Sequence, residues 1–268
     1  IFTNAGVYGA NVFYSQGEKN IIHLPYLNDY DGIIVAGDTF GVENMDEELA
    51  ELLKSEAKCP VVCIRQKDER FSNVLVDDYT AMCTMVEHFI EHHGFRRICF
   101  MTGRLEMYDA QRRLLAYINT MQKHGIKVTP EMVFEGDYWR NLGGMAVDWF
   151  LQNPDCLPEA IVCANDYMAI SVCDALSKRG IKIPEQICVS GYDDIEEARY
   201  SIPPISTIQI PVGELGKRAV ELLEELFENK TEKKDVYIAG TPIYRDSCCN
   251  QEEWDMDATK KLLTEKEY

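Results

Sequence analysis

Short apolar runs that end in polar side chains alternate along this chain with longer stretches in which apolar residues recur every three or four positions. Asp31–Gly37, Pro60–Arg65 and Val74–Asp78 read as strands. Asn44-Met45-Asp46-Glu47 has capping-box spacing ahead of a helix through Leu52 and Leu53. Another helix, beginning near Ala81, runs through Phe89 and stops near Gly94. A second series opens at Arg97 with a strand to Thr102, a helix over Tyr108–His124, a strand near Val133 and a helix to Gln152. Two strands follow, at Ile161–Cys163 and Ile187–Ser190, with a helix between them. After Pro203-Pro204 come an extended crossover at Thr207–Ile210, a helix over Val212–Asn229, and strands at Val236–Ala239 and Pro242–Tyr244. Residues 1–16 read as the end of a helix followed by a strand (ANVFYS). Gln251–Tyr268 is rich in helix formers, with Trp254, Leu262 and Leu263 as its apolar anchors. Such alternation predicts an α/β fold of parallel sheets covered by helices on both faces.

Two strand ends carry the candidate chemistry. One apolar run delivers Asn165 and Asp166, the other Asp193 and Asp194. Polar groups at the carboxyl ends of parallel strands are held by a rigid sheet while facing a ligand crevice, which points to recognition of a polar small molecule. Asp166 reads as the N-cap of the helix that follows it, and Asp194 as the cap of its own following segment.

Composition narrows the classes. A chain of 268 residues with a formal charge of −18 does not grip nucleic acid itself, because phosphate binding needs clustered Lys and Arg. Ten cysteines lie mostly within apolar runs, where they act as small buried hydrophobes suited to a reducing, cytoplasmic compartment. Only the adjacent Cys248-Cys249 stands apart. No run of about 18 apolar residues offers a membrane span. Acidic pairs at Asp77-Asp78 and Asp193-Asp194 raise the alternative of a metal or acid–base site, yet no nucleophile motif or phosphate loop accompanies them. His88 and His92 read as the exposed face of a surface helix. No catalytic residue, metal or cofactor is expected.

The segments ANDYMA and GIKIPEQICVSGYDDI, with VLVDD at Val74–Asp78, RRICFMTG at Arg96–Gly103, QRRLLAY at Gln111–Tyr117, EGDY at Glu135–Tyr138 and PPISTIQIP at Pro203–Pro211, resemble the effector-binding domain of the LacI/GalR family. That resemblance covers about Asp31 to Ser247. It implies a two-lobed periplasmic-binding-protein-like fold with three crossovers and a ligand between the lobes. The expected lobes are residues 1–94 with 208–232, lacking the family's first strand, and 95–207 with 233–249, followed by a linker helix over 250–268.

The resemblance also assigns candidate ligand residues. Arg113 stands where relatives place a ligand-clamping arginine, whose fork suits vicinal hydroxyls or a carboxylate; a helix-surface arginine is the competing reading, and Arg112 is the surface member. Asp193 matches an acceptor for ligand hydroxyls or amines, and Asn165 offers both donor and acceptor. Tyr138 falls where relatives stack an aromatic ring, with Trp139 facing away if the segment is extended. Met107 and Asp109 fall on the loop that reaches the ligand, and Asp78 and Tyr79 on the first lobe's wall, with capping of the helix that begins near Ala81 as the competing reading for the carboxylates at Asp77-Asp78. Ile210 and Met107 replace polar residues of many relatives, a departure from the pattern that sets ligand identity and makes the site less polar on the Met107 side; sugar stands only as the default ligand class. The implied protein is a non-catalytic sensor of a sugar-like small molecule, acting as a homodimer on an attached output. DNA would be touched only through a domain outside this chain, and a cyclase or kinase output is the other form. A solute-binding protein of a sugar transporter is the alternative.

Overall fold

The computed structural model describes residues 29–36, 45–152, 157–228 and 232–248. The N-terminal helix end and ANVFYS strand, Asn44 of the capping box, Cys249 and the 250–268 helix all lie outside the described residues. The chain divides into two compact units, residues 1–77 with 211–240 and residues 78–210 with 241–268, and passes between them three times.

The first unit is built on a four-stranded parallel sheet in the order β1 (Ile33–Ala36), β2 (Val61–Ile64), β3 (Ser72–Val76), β9 (Asp235–Ile238). Side chains alternate across a strand, so Val61 and Cys63 point to one face. There they meet Leu49 and Leu53 of helix α1 (Met45–Glu56) and Phe71. Helix α7 (Val212–Phe227) packs across β1, β2 and β3 through a stripe containing the buried Leu215, Ala219 and Leu222. Coverage from both helices buries all four residues of β2. Asn73 locks β3 to β9, its Nδ2 donating to Asp235 Oδ1 at 2.7 Å.

The second unit holds the parallel sheet β5 (Val133–Glu135), β4 (Ile98–Thr102), β6 (Ala160–Cys163), β7 (Cys188–Ser190), in that order. A two-stranded antiparallel ribbon pairs β8 (Thr207–Gln209) with β10 (Thr241–Ile243). Helices α2 (Asp78–Glu91) and α3 (Tyr108–Lys123) pack on each other, as do α4 (Gly143–Phe150) and α5 (Asp166–Lys178); α6 (Glu196–Tyr200) is short. Phe100 of β4 stacks on Tyr117 of α3 at 5.0 Å, and the Tyr117 hydroxyl donates to the Ile98 carbonyl.

Several expectations are corrected. Helix α2 starts at Asp78 and belongs to the second unit, because Met82, Met85, Val86 and Phe89 are buried on the side of the chain that also buries α3. Strand β9 belongs to the first sheet, where it forms a parallel ladder with β3 from Asn73↔Asp235 to Val76↔Ile238. Thr207–Gln209 stays in the second unit as a strand, its ladder completed by β10, and the crossing comes at Pro211. His88 is buried: its ring stacks on Tyr244 at 3.9 Å and its Nε2 lies 3.2 Å from His93 Nε2.

Candidate functional site

The site lies in the second unit, where β4, β6 and β7 end. Strand β6 runs out at Cys163, and Asn165 then turns the chain into α5. Its Oδ1 accepts from Met168 N at 2.9 Å, so Asn165, rather than Asp166, is the N-cap. Its Nδ2 meanwhile donates to the Tyr138 carbonyl at 3.0 Å. One amide therefore fixes both the helix start and the loop after β5. That loop is not extended at Tyr138, whose φ is +69°, a left-handed conformation uncommon for a bulky residue. The Tyr138 ring passes so close over Gly103 that a Cβ there would fall 2.0 Å from its Cζ. Trp139 is exposed and stacks against Tyr167.

Arg113 sits at the centre, 1% exposed. Its Nε donates to Asp78 Oδ1 at 2.9 Å, Nη2 lies 2.8 Å from the same oxygen, and Nη1 donates to the Ala164 carbonyl at 2.7 Å. The guanidinium carbon lies 3.7 Å from the centroid of the Tyr192 ring, a cation–π contact. Asp109 is more distant from Nη2, at 3.4 Å, and accepts from the Tyr138 hydroxyl at 2.9 Å. Burial disfavours the charged arginine, but the facing Asp78 and Asp109 carboxylates outweigh it and hold Arg113 firmly protonated. Burial raises the Tyr138 and Tyr192 phenols, which stay neutral.

The turn after β7 forms a second polar hub. Asp193 and Asp194 both adopt positive φ, at 108° and 56°. Gly191 precedes them because Asp166 presses against it, with Oδ1 2.1 Å from where a Cβ would stand. Asp166 Oδ1 accepts from Thr207 Oγ1 at 2.7 Å and Oδ2 from Ile195 N at 2.9 Å. Burial dominates there and pushes the Asp166 carboxyl up to about 7, against those two hydrogen bonds. Asp194 caps no helix. It gathers Arg199 at 2.6 Å, Arg245 at 2.5 Å and Gln209 at 2.8 Å, tying α6, β8 and the segment after β10 to the turn. Burial would raise its carboxyl, yet these donors hold it below the usual range. The Asp193 N–H donates to the Ile208 carbonyl.

Of the residues singled out from sequence, Arg113, Asp78, Asp109, Tyr138 and Asn165 are joined by direct contacts. Asp193 lies on the neighbouring turn, next to Tyr192. Met107 contributes backbone as the N-cap of α3, without a side-chain cap bond. Tyr79 points elsewhere: its hydroxyl accepts from Asn119 and its ring faces Arg112. Sequence reasoning missed Tyr192 as the platform beneath Arg113, and Thr207, Gln209 and Arg245 as anchors of the acidic turn. The alternation in Thr207-Ile208-Gln209 was the available signal, since it places two polar groups on one strand face. The hydroxyls of Thr102 and Ser190, at the ends of β4 and β7, are buried with no hydrogen-bond partner among the described residues. Within the acidic pairs, Asp78 is taken up by Arg113 and Asp194 by three donors.

The family described as periplasmic binding protein-like domain matches residues 86–248. The chain is 29% identical over 219 residues to the HTH-type transcriptional repressor PurR of Pasteurella multocida, covering 81% of this chain and 64% of that protein. It is 32% identical over 181 residues to the ribose operon repressor of Haemophilus influenzae, covering 67% and 53% respectively. The chain thus spans under two thirds of the length of these curated relatives. A solved regulatory protein of the LacI family from Chloroflexus aggregans superposes with a TM-score of 0.72 at 27% identity, over 82% of this chain and 77% of that one. With its two parallel α/β units, three crossings and polar strand ends, the chain belongs to the periplasmic-binding-protein-like family as an effector-binding domain of the LacI type.

Proposed function

We propose that this chain is the non-catalytic, ligand-sensing part of a regulator, and that its effector is a carbohydrate-like molecule bound by the second unit around Arg113. The observation that carries this reading is the buried, charged Arg113 at the carboxyl ends of the strands, braced by Asp78 and Tyr192. Asp109 holds it through the longer of its two ion-pair contacts, at 3.4 Å. A ligand hydroxyl or carboxylate that replaces this contact meets a preorganised fork without a further ordering cost. Asn165, Tyr138 and Asp193 supply the surrounding donors, acceptors and ring. The relative named as a ribose operon repressor supports a sugar-like ligand.

Effector binding works by population shift: whichever conformer binds ligand better gains in proportion to the difference in affinity. The protein works in the cytoplasm as a homodimer. DNA is contacted by a segment beyond these residues, since the charge of −18 repels phosphate. The relatives' names, HTH-type and operon repressors, support a transcriptional output and do not favour the transporter reading.

The test is a thermal-shift screen against pentoses, hexoses, sugar acids and nucleosides, repeated on Asp193→Asn and Tyr138→Phe. A ligand at 100 times its Kd stabilises by about 2.7 kcal/mol. A hit weakened by both variants supports the site, whereas a hit indifferent to both places the ligand elsewhere.

A further inference from the structure

Helices α2 and α3 run side by side in the same direction: Asp78 meets Arg113, Cys83 Sγ reaches the Ala116 carbonyl, and Glu87 meets Lys123. Their carboxyl-terminal ends therefore come together, far along both helices from the Arg113 cluster. Two carboxylates and an imidazole converge there. Glu87 and Glu91 share a face of α2 four residues apart, and His124 closes α3 as its C-cap. His124 Nε2 lies 3.6 Å from Glu91 Oε1 and 3.9 Å from Glu87 Oε1. One donor atom from each of the three residues falls within 4.8 Å of the others. His124 Nε2 is buried and makes no hydrogen bond among the described residues.

We propose that Glu87, Glu91 and His124 form a binding site for a zinc-class divalent transition ion that clasps the ends of α2 and α3. Zinc bonds to nitrogen and carboxylate oxygen of about 2.0–2.2 Å put tetrahedral donors about 3.3–3.6 Å apart, so this triangle needs only a small contraction. An imidazole among the donors selects zinc, cobalt or nickel over magnesium or calcium. Two like charges at i and i+4 on a helix repel. The carbonyl ends of two helices add partial negative charge, so a cation relieves both effects. Lys123 Nζ, 2.7 Å from Glu87 Oε1, is the resident competitor, and Arg96 donates to the His124 carbonyl nearby. Binding at this place is independent of the effector reading.

The chain is titrated with Zn²⁺ and Co²⁺, with Mg²⁺ and Ca²⁺ as controls, by calorimetry and cobalt absorption. Expected are one high-affinity ion per chain, visible cobalt bands without a thiolate-to-cobalt charge-transfer band, and a loss of about tenfold or more in affinity in His124→Ala. Glu91→Gln, at an exposed position, gives a loss in the same direction, and Lys123→Ala tightens binding by removing the competitor. The proposal is overturned by affinity unchanged in both His124→Ala and Glu91→Gln or by no Zn²⁺ affinity above that for Mg²⁺. A thiolate band also overturns it, since it would place the ion on a cysteine instead, for example Cys248 beside His88, where Sγ lies 4.0 Å from Nε2.

Discussion

Arg113 and Asp78 form a buried ion pair, and such a pair matters most when half of it is removed. Arg113→Ala leaves the Asp78 carboxylate, 6% exposed, without its guanidinium, and should cost about 3–5 kcal/mol in urea denaturation. Replacing both partners, as Asp78→Leu with Arg113→Met, should recover most of that loss because no charge is then stranded. Asp166 gives a pH signature. Its carboxyl is raised from 3.8 to about 7, so the folded chain holds the proton more tightly than the unfolded one. The resulting stabilisation is complete below the unfolded value and is lost as pH rises through the window from 3.8 to about 7. Asp166→Asn should flatten the melting temperature across that window. Asp194, shifted downward, acts in the opposite sense, its contribution disappearing only as pH falls below the ordinary carboxylate range. Arg113, Asp109 and Asn165 stand out in the sequence through the family motifs around them, and the fold brings Arg113 and Asp109 into contact. That Arg113 rests on Tyr192 was not, because the two meet only when α3 and the turn after β7 are packed together.

Among the elements, α5 is where one side chain serves two structures. Asn165→Asp keeps the acceptor for Met168 N but loses the donor to the Tyr138 carbonyl, whereas Asn165→Ala loses both. The alanine variant should lose about 1 kcal/mol more than the aspartate variant, the ordinary value of an N-cap, by thermal denaturation. Both should weaken any ligand that needs Tyr138 held at its positive φ. Gly103→Ala isolates the same loop from the other side, since its Cβ would strike the Tyr138 ring. Most strands and helices fell close to their apolar runs, because a period of two or of about three and a half is a local property. The start of α2 was misjudged. Asp77 and Asp78 read as the polar end of a strand, and only the buried helix face behind Asp78 shows that the turn has begun.

At the scale of the molecule, burial governs the thiols. Among the described residues, Cys63, Cys99, Cys163, Cys173, Cys188 and Cys248 are buried, while Cys59 and Cys83 are partly accessible. Burial pushes the Cys163 and Cys173 thiols further from ionisation. With a thiol reagent under native conditions, peptide mapping should find Cys59 and Cys83 modified well before these six, which should react only as the chain unfolds. Early labelling of Cys163 or Cys173 would contradict the core as described.

The sequence by itself determined the α/β class, the positions of the elements, the polar strand ends and the family, since each is written in local periodicity or in contiguous motifs. Tertiary structure alone decided which unit each element joins. β9 and β3 are separated by 162 residues yet share a ladder, and α2 follows β3 in the chain yet packs on α3. It alone also decided the roles of individual polar groups: Asn165 as cap, Asp166 as buried anchor, Asp194 as the meeting point of three donors. Periodicity fixes what a segment can become. Burial and hydrogen-bond satisfaction, which depend on neighbours distant in sequence, fix what each side chain does there.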